Sequence, residues 1–171
     1  MRITTKRASM KTFLDVTAAD LMSAPVTSIP QDMLLRDAGH LLMKSNISGA
    51  PVVDSERNCV GILSSSDFVG WAEAGGEMEK KGKAVSFIAP WGEIINMGEC
   101  EGCVVSRYMT KGPVMVSPAT PIGEIAQKMV DADIHRVLVA DKSRPSGIIS
   151  STDIMAAVAN AARKASYEKR G

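Results

Sequence analysis

Between Thr120 and Val130 the apolar residues fall at Ile122, Ile125, Ala126, Met129 and Val130, the i, i+3, i+4, i+7, i+8 spacing that lines one face of a helix. Thr120 is placed to cap this helix, with Pro121 at its first helical position. On either side the period shortens. PVMVSP upstream, and HRVLVAD and SGIIS downstream, are short β-rich runs split by turn-like residues. TDIMAAVANAARKA then has helical composition. The order strand, helix, strand, strand, helix also occurs earlier in the chain, as PVTSIP, DMLLRDAGHLLMKSN, GAPVVD, CVGILS and SDFVGWAEA.

The two halves also match residue by residue. GILSSSDF (61–68) and GIISSTDI (147–154) share one phrase, with Gly61, Ser64 and Asp67 each 86 residues before Gly147, Ser150 and Asp153. Ile47 and Ile134, Asp54 and Asp141, and Met22 and Met109 are 87 apart, and Pro25 and Pro113 are 88 apart. The drift falls at SAPV against TKGPV and at DSERNCVG against DKSRPSG, turn-like places where folds tolerate length changes. A unit of about 55 residues is small for a core of its own. The expected fold is therefore α/β (α+β): two β-α-β-β-α repeats packed about a pseudo-two-fold axis. The organisation reads as an N-terminal tail (1–15), repeat 1 (16–72), a connecting segment (73–102), repeat 2 (103–160) and a C-terminal helix end and tail (161–171). The connector is too long for a plain loop and is expected to be helical.

Composition changes this picture little. The 171 residues are 45% hydrophobic and 23% charged, as in globular domains, and Lys+Arg 20 against Asp+Glu 19 gives a formal charge of +1. No global field draws the chain to nucleic acid or acidic membranes, and the basic ends lack an aromatic platform, so a nucleic-acid partner is not expected. No apolar run reaches membrane-spanning length and MRITTKRASMKTFLDV lacks a secretory core, so a cytoplasmic location is expected. The three cysteines Cys59, Cys100 and Cys103 agree with a reducing compartment. G-x-S-x-G, H-E-x-x-H, P-loop and Rossmann patterns are absent, which argues against an enzyme.

The paired G-h-h-S-x-[ST]-D phrases, the I-x-x-x-P-V-V-D of Ile47–Asp54 and the I-H-R-V-L-V-A-D of Ile134–Asp141 resemble a tandem pair of cystathionine-β-synthase (CBS) domains, a Bateman module. The likeness spans roughly residues 16–72 and 103–160. It implies a non-catalytic regulatory module that binds an adenosine-containing ligand, with AMP, ADP or ATP foremost, between repeats of a homodimer and requires no cofactor. Its output would pass through a separate effector protein.

The residues support that implication on their own chemistry. Where a strand ends and a helix begins, Asp67 or Asp153 sits among free backbone N–H groups, stays ionised and can accept from both hydroxyls of a ribose. Equally, Ser64-x-x-Asp67 and Ser150-x-x-Asp153 are helix-start patterns in which the hydroxyl caps and the acid favours the dipole. His135-Arg136 is likewise open to two readings. In AMP-binding members of the family the matching pair faces the phosphate, which suits a guanidinium; otherwise it is a strand-edge pair bonded to Asp131 or Asp133. The first copy has Ser48 and Gly49 at these positions. From the resemblance, the stronger pocket would comprise Ile148, Ser150, Thr152, Asp153, His135 and Arg136 with Val26, Ile47 and Ser48. The weaker mirror pocket would comprise Ile62, Ser64, Ser66 and Asp67 with Val114 and Ile134.

Two other readings are a homodimerisation module without ligand and a thiol or metal switch through Cys100 and Cys103. The C-x-x-C spacing lets two thiolates face one point. No second such pair exists, however, and the histidines are only His40 and His135. His40, beside Leu41 and Leu42, reads as a surface or interface residue.

Overall fold

The computed structural model describes residues 13–73, 85–88, 94–97 and 102–168. The first copy contains α1 (Ala18–Leu21), β1 (Ile29–Pro30), α2 (Leu35–Lys44), β2 (Gly49–Val53), β3 (Cys59–Ser64) and α3 (Ser65–Glu73). Within the connector lie β4 (Val85–Ile88) and β5 (Ile94–Met97). The second copy contains β6 (Thr110–Lys111), β7 (Met115–Val116), α4 (Ile122–Asp131), β8 (Arg136–Asp141), β9 (Arg144–Ser150) and α5 (Ser151–Glu168). Each strand and helix expected in the repeats is present. The connector differs from expectation: β4 and β5 pair antiparallel, with Phe87 opposite Ile95 and Ile88 opposite Ile94, so these stretches are strands and not helix.

One sheet runs β1-β2-β3-β6 and another β7-β8-β9. In both, a short parallel strand joins an antiparallel hairpin, and the apolar side chains of the hairpin alternate into the core. The core of the first sheet is built from Ile29, Leu35, Ala38, Leu42, Val52, Leu63, Phe68 and Trp71. Its counterpart holds Val116, Ile125, Met129, Val137, Val139 and Ile149. Burial of these side chains from water supplies the main drive for each half.

Neither core is closed by its own copy. Cys103 and Val105, from the start of the second copy, are buried in the first core, while Ala18, from the start of the first copy, is buried in the second. The backbone bonds repeat this exchange. Ala18 N donates to Thr120 O (2.8 Å), Ala19 N to Pro118 O (2.9 Å) and Ile122 N to Val16 O (2.8 Å); their counterparts are Val105 N to Met33 O (2.9 Å), Ser106 N to Gln31 O (2.9 Å) and Leu35 N to Cys103 O (2.7 Å). Each donor and acceptor is displaced by 87 residues between the two sets. The leading segment of each copy therefore crosses to finish the other.

This crossing explains a missing cap. Thr120 does not cap α4: its hydroxyl accepts from Ser117 N (3.1 Å) and tightens the preceding turn, and Pro121 occupies the N-cap position without a side-chain bond. The first helical N–H, that of Ile122, is already satisfied by Val16 O across the copies, so the helix start has less need of a hydroxyl.

The glycines of the duplicated phrase answer to the same geometry. A Cβ on Gly147 would lie 2.8 Å from Cβ of Met22 and 2.5 Å from its Sδ, and one on Gly61 would lie 2.6 Å from Met109 Sδ and 2.8 Å from Thr110 O. Only glycine lets the crossing strand approach this closely. Gly147→Ala is expected to overpack the site and lower Tm by about 5 °C. In a Met22→Gly background, which removes the opposing Cβ as well as the sulfur, the same change should cost little, and equal losses in both backgrounds would contradict the contact.

Candidate functional site

The site begins where β9 turns into α5. Ser150, the last residue of the strand, donates to Asp153 Oδ2 through its backbone N (2.7 Å) and its Oγ (2.6 Å). At the matching junction Ser64 donates to Asp67 Oδ2 through N (2.6 Å) and Oγ (2.9 Å). Helix-start geometry is thus realised in both copies. The second carboxylate oxygen separates them. Thr110 Oγ1, on the crossing strand β6, donates to Asp67 Oδ1 at 2.9 Å, and Ser66 Oγ lies 2.8 Å from Ser64 Oγ. Thr110's counterpart is Ser23, which pairs with Ile148 through its backbone alone. Among the described residues Asp153 Oδ1 has no partner, so one acidic oxygen is uncommitted at this junction and none at the other.

Arg136 and Ser48 connect this junction to the first copy. Arg136 opens β8 opposite Ser150 in the ladder, and its Nη2 donates to Ser48 Oγ. The guanidinium is half-buried, and burial pushes its pKa below the usual arginine value. It does not pair with Asp131, which accepts from Gln127 Nε2 at 2.6 Å, and among the described residues no carboxylate lies within 4.0 Å of it. A partly desolvated cation without a counter-ion is costly, and an anion beside it would offset that cost. His135 is exposed, and its carbonyl accepts from Ser151 N at 2.9 Å, fixing the residue beside the start of α5.

Hydrogen bonds and register thus bring together Asp153, Ser150, His135, Arg136 and Ser48, with Thr152 exposed on the first turn of α5. Pairing and packing place the other expected residues. Ile148 pairs with Leu138 and with Ser23. Ile62 pairs with Pro51 and Thr110 in the mirror position. Ile47 packs on the first core; Ile134 and Val114 pack on the second, and Val114 O also accepts from Leu138 N at 3.0 Å. Val26 lines a separate cavity with Ser146. Thr110 was not among the expected residues, although a hydroxyl stands at that place in both copies, as Ser23 and Thr110.

Cys100 lies outside the described residues. Cys103 is buried, with its Sγ 3.3 Å from Tyr108 Oη. Among the described residues no group of three or more His, Cys, Asp or Glu could hold a metal ion, and no helix is long and apolar enough to cross a membrane.

Comparison with known proteins places this geometry in context. The family model of the CBS domain matches residues 18–74 and 105–160. The zinc metalloprotease MJ0392 of Methanocaldococcus jannaschii is 30% identical over 148 residues, which cover 85% of this chain and 33% of that protein. The chain spans between 25% and 36% of the length of this and two other curated relatives. Among solved structures, the CBS domain pair of MJ0100 in complex with 5′-methylthioadenosine and S-adenosyl-L-methionine has TM-score 0.67 at 22% identity, covering 85% of this chain and 97% of that one. CBSX2 in complex with AMP has TM-score 0.64 at 21% identity, covering 84% and 96%.

The unequal acids make a prediction for the ligand-free protein. Asp67 ties Thr110 of the other copy as well as its own Ser64, whereas among the described residues Asp153 holds only Ser150. Asp67→Ala is expected to destabilise by about 1 kcal/mol more than Asp153→Ala, measured by urea unfolding. Equal losses would mean that the Thr110 bond contributes nothing.

Proposed function

The chain belongs to the CBS-domain family, as a tandem pair, and from that premise we propose that it is a non-catalytic regulatory module binding an adenosine-containing ligand, AMP, ADP or ATP, at the Asp153 junction. The observation that carries this reading is that, among the described residues, Asp153 Oδ1 has no partner and the half-buried Arg136, paired in register with Ser150 of the same junction, has no carboxylate within 4.0 Å. An ionised carboxylate accepts from the 2′- and 3′-hydroxyls of a ribose, and the guanidinium with His135 receives the phosphate. Ser48 comes from the first copy and Arg136 from the second, so one ligand bridges both. Such a ligand shifts the arrangement of the copies only by as much as it binds one arrangement more tightly. The family neighbours solved with AMP and with methylthioadenosine and S-adenosylmethionine support the ligand class.

The mirror junction is the weaker one in this reading, because Thr110 already donates to the second oxygen of Asp67. On α5 the exposed Met155 and Val158 suit a homodimer contact, and a separate effector protein would read the change in a cytoplasmic setting. A ligand-free dimerisation module is the competing reading, favoured by the helix-start bonds that both acids make.

Thermal shift separates the two. Ligand at about 100 times its Kd adds about 2.7 kcal/mol, a rise of about 5–10 °C for a chain of this size. AMP, ADP, ATP, adenosine, S-adenosylmethionine and 2′-deoxy-AMP form the panel. A ribonucleotide is expected to raise Tm and its 2′-deoxy form to do so less. Asp153→Ala should abolish the rise and Asp67→Ala should reduce it less; Arg136→Ala should weaken AMP more than adenosine. No shift with any member would leave the dimerisation reading standing.

A further inference from the structure

A cavity of about 710 Å³ opens at the far end of β9 from Asp153, a volume typical of small-molecule sites. Arg144 and Ser150 stand at opposite ends of the strand, about 20 Å apart at some 3.3 Å per residue, so the cavity is distinct from the proposed nucleotide junction. Its apolar wall includes Val26, Val53 and Pro145. Its charged groups are Arg57, Arg144, Asp32 and Asp54.

These four are not equally available. Asp54 Oδ1 accepts from Glu56 N and Asn58 N, both at 2.9 Å, and its Oδ2 from Asn58 Nδ2 at 3.3 Å. The carboxylate is spent on its own turn, and the Asn58 backbone bond, foremost, holds its pKa below the ordinary value. Among the described residues neither arginine has a carboxylate within 4.0 Å, and Asp32 has no ion-pair partner. The two arginines come from different copies, and their turns are locked together. Cys59 N donates to Ser143 O (2.8 Å) and Ser143 Oγ to Asn58 Oδ1 (2.6 Å). Arg57 itself holds a left-handed backbone, φ +67°, a conformation uncommon for a residue with a long side chain.

We propose that this cavity is a second ligand site, for a small molecule carrying an α-amino-acid group, with Arg57 and Arg144 receiving carboxylate oxygens and Asp32 the ammonium. Two guanidiniums against one uncommitted carboxylate favour the dicarboxylic amino acids. Guanidinium forks match carboxylates in bidentate geometry, and the apolar wall accommodates the carbon chain.

Titration calorimetry on the full chain tests this with L-glutamate, L-aspartate and their des-amino counterparts glutarate and succinate. One amino acid is expected to bind saturably at one site per chain and to lose at least about tenfold in affinity in Arg57→Ala and in Arg144→Ala. Asp32→Asn should bring the amino acid down to the affinity of its des-amino counterpart, while Asp153→Ala should leave amino-acid binding unchanged. All three side chains are exposed, and melting curves check that the variants fold. Absence of saturable binding by either amino acid, equal binding of the des-amino acids to the unaltered protein, or loss in Asp153→Ala with retention in Arg57→Ala would each overturn the proposal. Because the nucleotide reading is tested through Asp153, failure of one leaves the other standing.

Discussion

Everything in this molecule depends on two short segments that cross from one copy to the other. Met22 lies over Gly147 and Met109 over Gly61 at distances that exclude any side chain on either glycine. Around these contacts, Val16, Ala18 and Ala19 bond to the start of α4, and Cys103, Val105 and Ser106 bond to the start of α2. A unit of this size is marginal on its own. Exchange of leading segments solves that problem twice with one motif, since each copy donates the piece the other lacks.

The same crossing builds the site and makes it unequal. The strand that passes over each glycine continues beside the serine and aspartate of the duplicated phrase, bringing Ser23 to one junction and Thr110 to the other. Thr110 reaches Asp67 and the Ser23 side chain reaches no described partner, so near-identical phrases present different acceptors to a ligand. Arg136 enlarges the difference, because its first-copy counterpart is Gly49. The ends of the hairpins are tied separately through Asn58 and Ser143, which carries the relation between copies to the far cavity.

Much of this was legible because the chain states it twice. The helix face of Ile122, Ile125 and Met129, the strand runs at Val137–Val139 and the matching Gly and Asp positions led to two repeats in mutual contact, and the structure has them. Features made by contacts distant in sequence were not legible. Thr120 had the residue type of a cap, yet the donor it would have served belongs to Val16 across the copies. The packing of the partly buried Ile47 and Ile134 against the two cores is likewise set by distant contacts. In the connector, length alone suggested helix, whereas two apolar runs flanking Pro90 and Gly92 carried a hairpin signal, in keeping with β4 and β5. Thr110 stood out only once its distance from Asp67 was known.

The direct test of the exchange is to make the two copies as separate chains, residues 13–73 and 102–168, and follow the unfolding of each alone and of their equimolar mixture. Dependence of each core on the other's leading segment predicts no cooperative transition for either fragment as a monomer and a cooperative transition in the one-to-one complex. A fragment that melts cooperatively as a monomer at the temperature of the intact chain would contradict it.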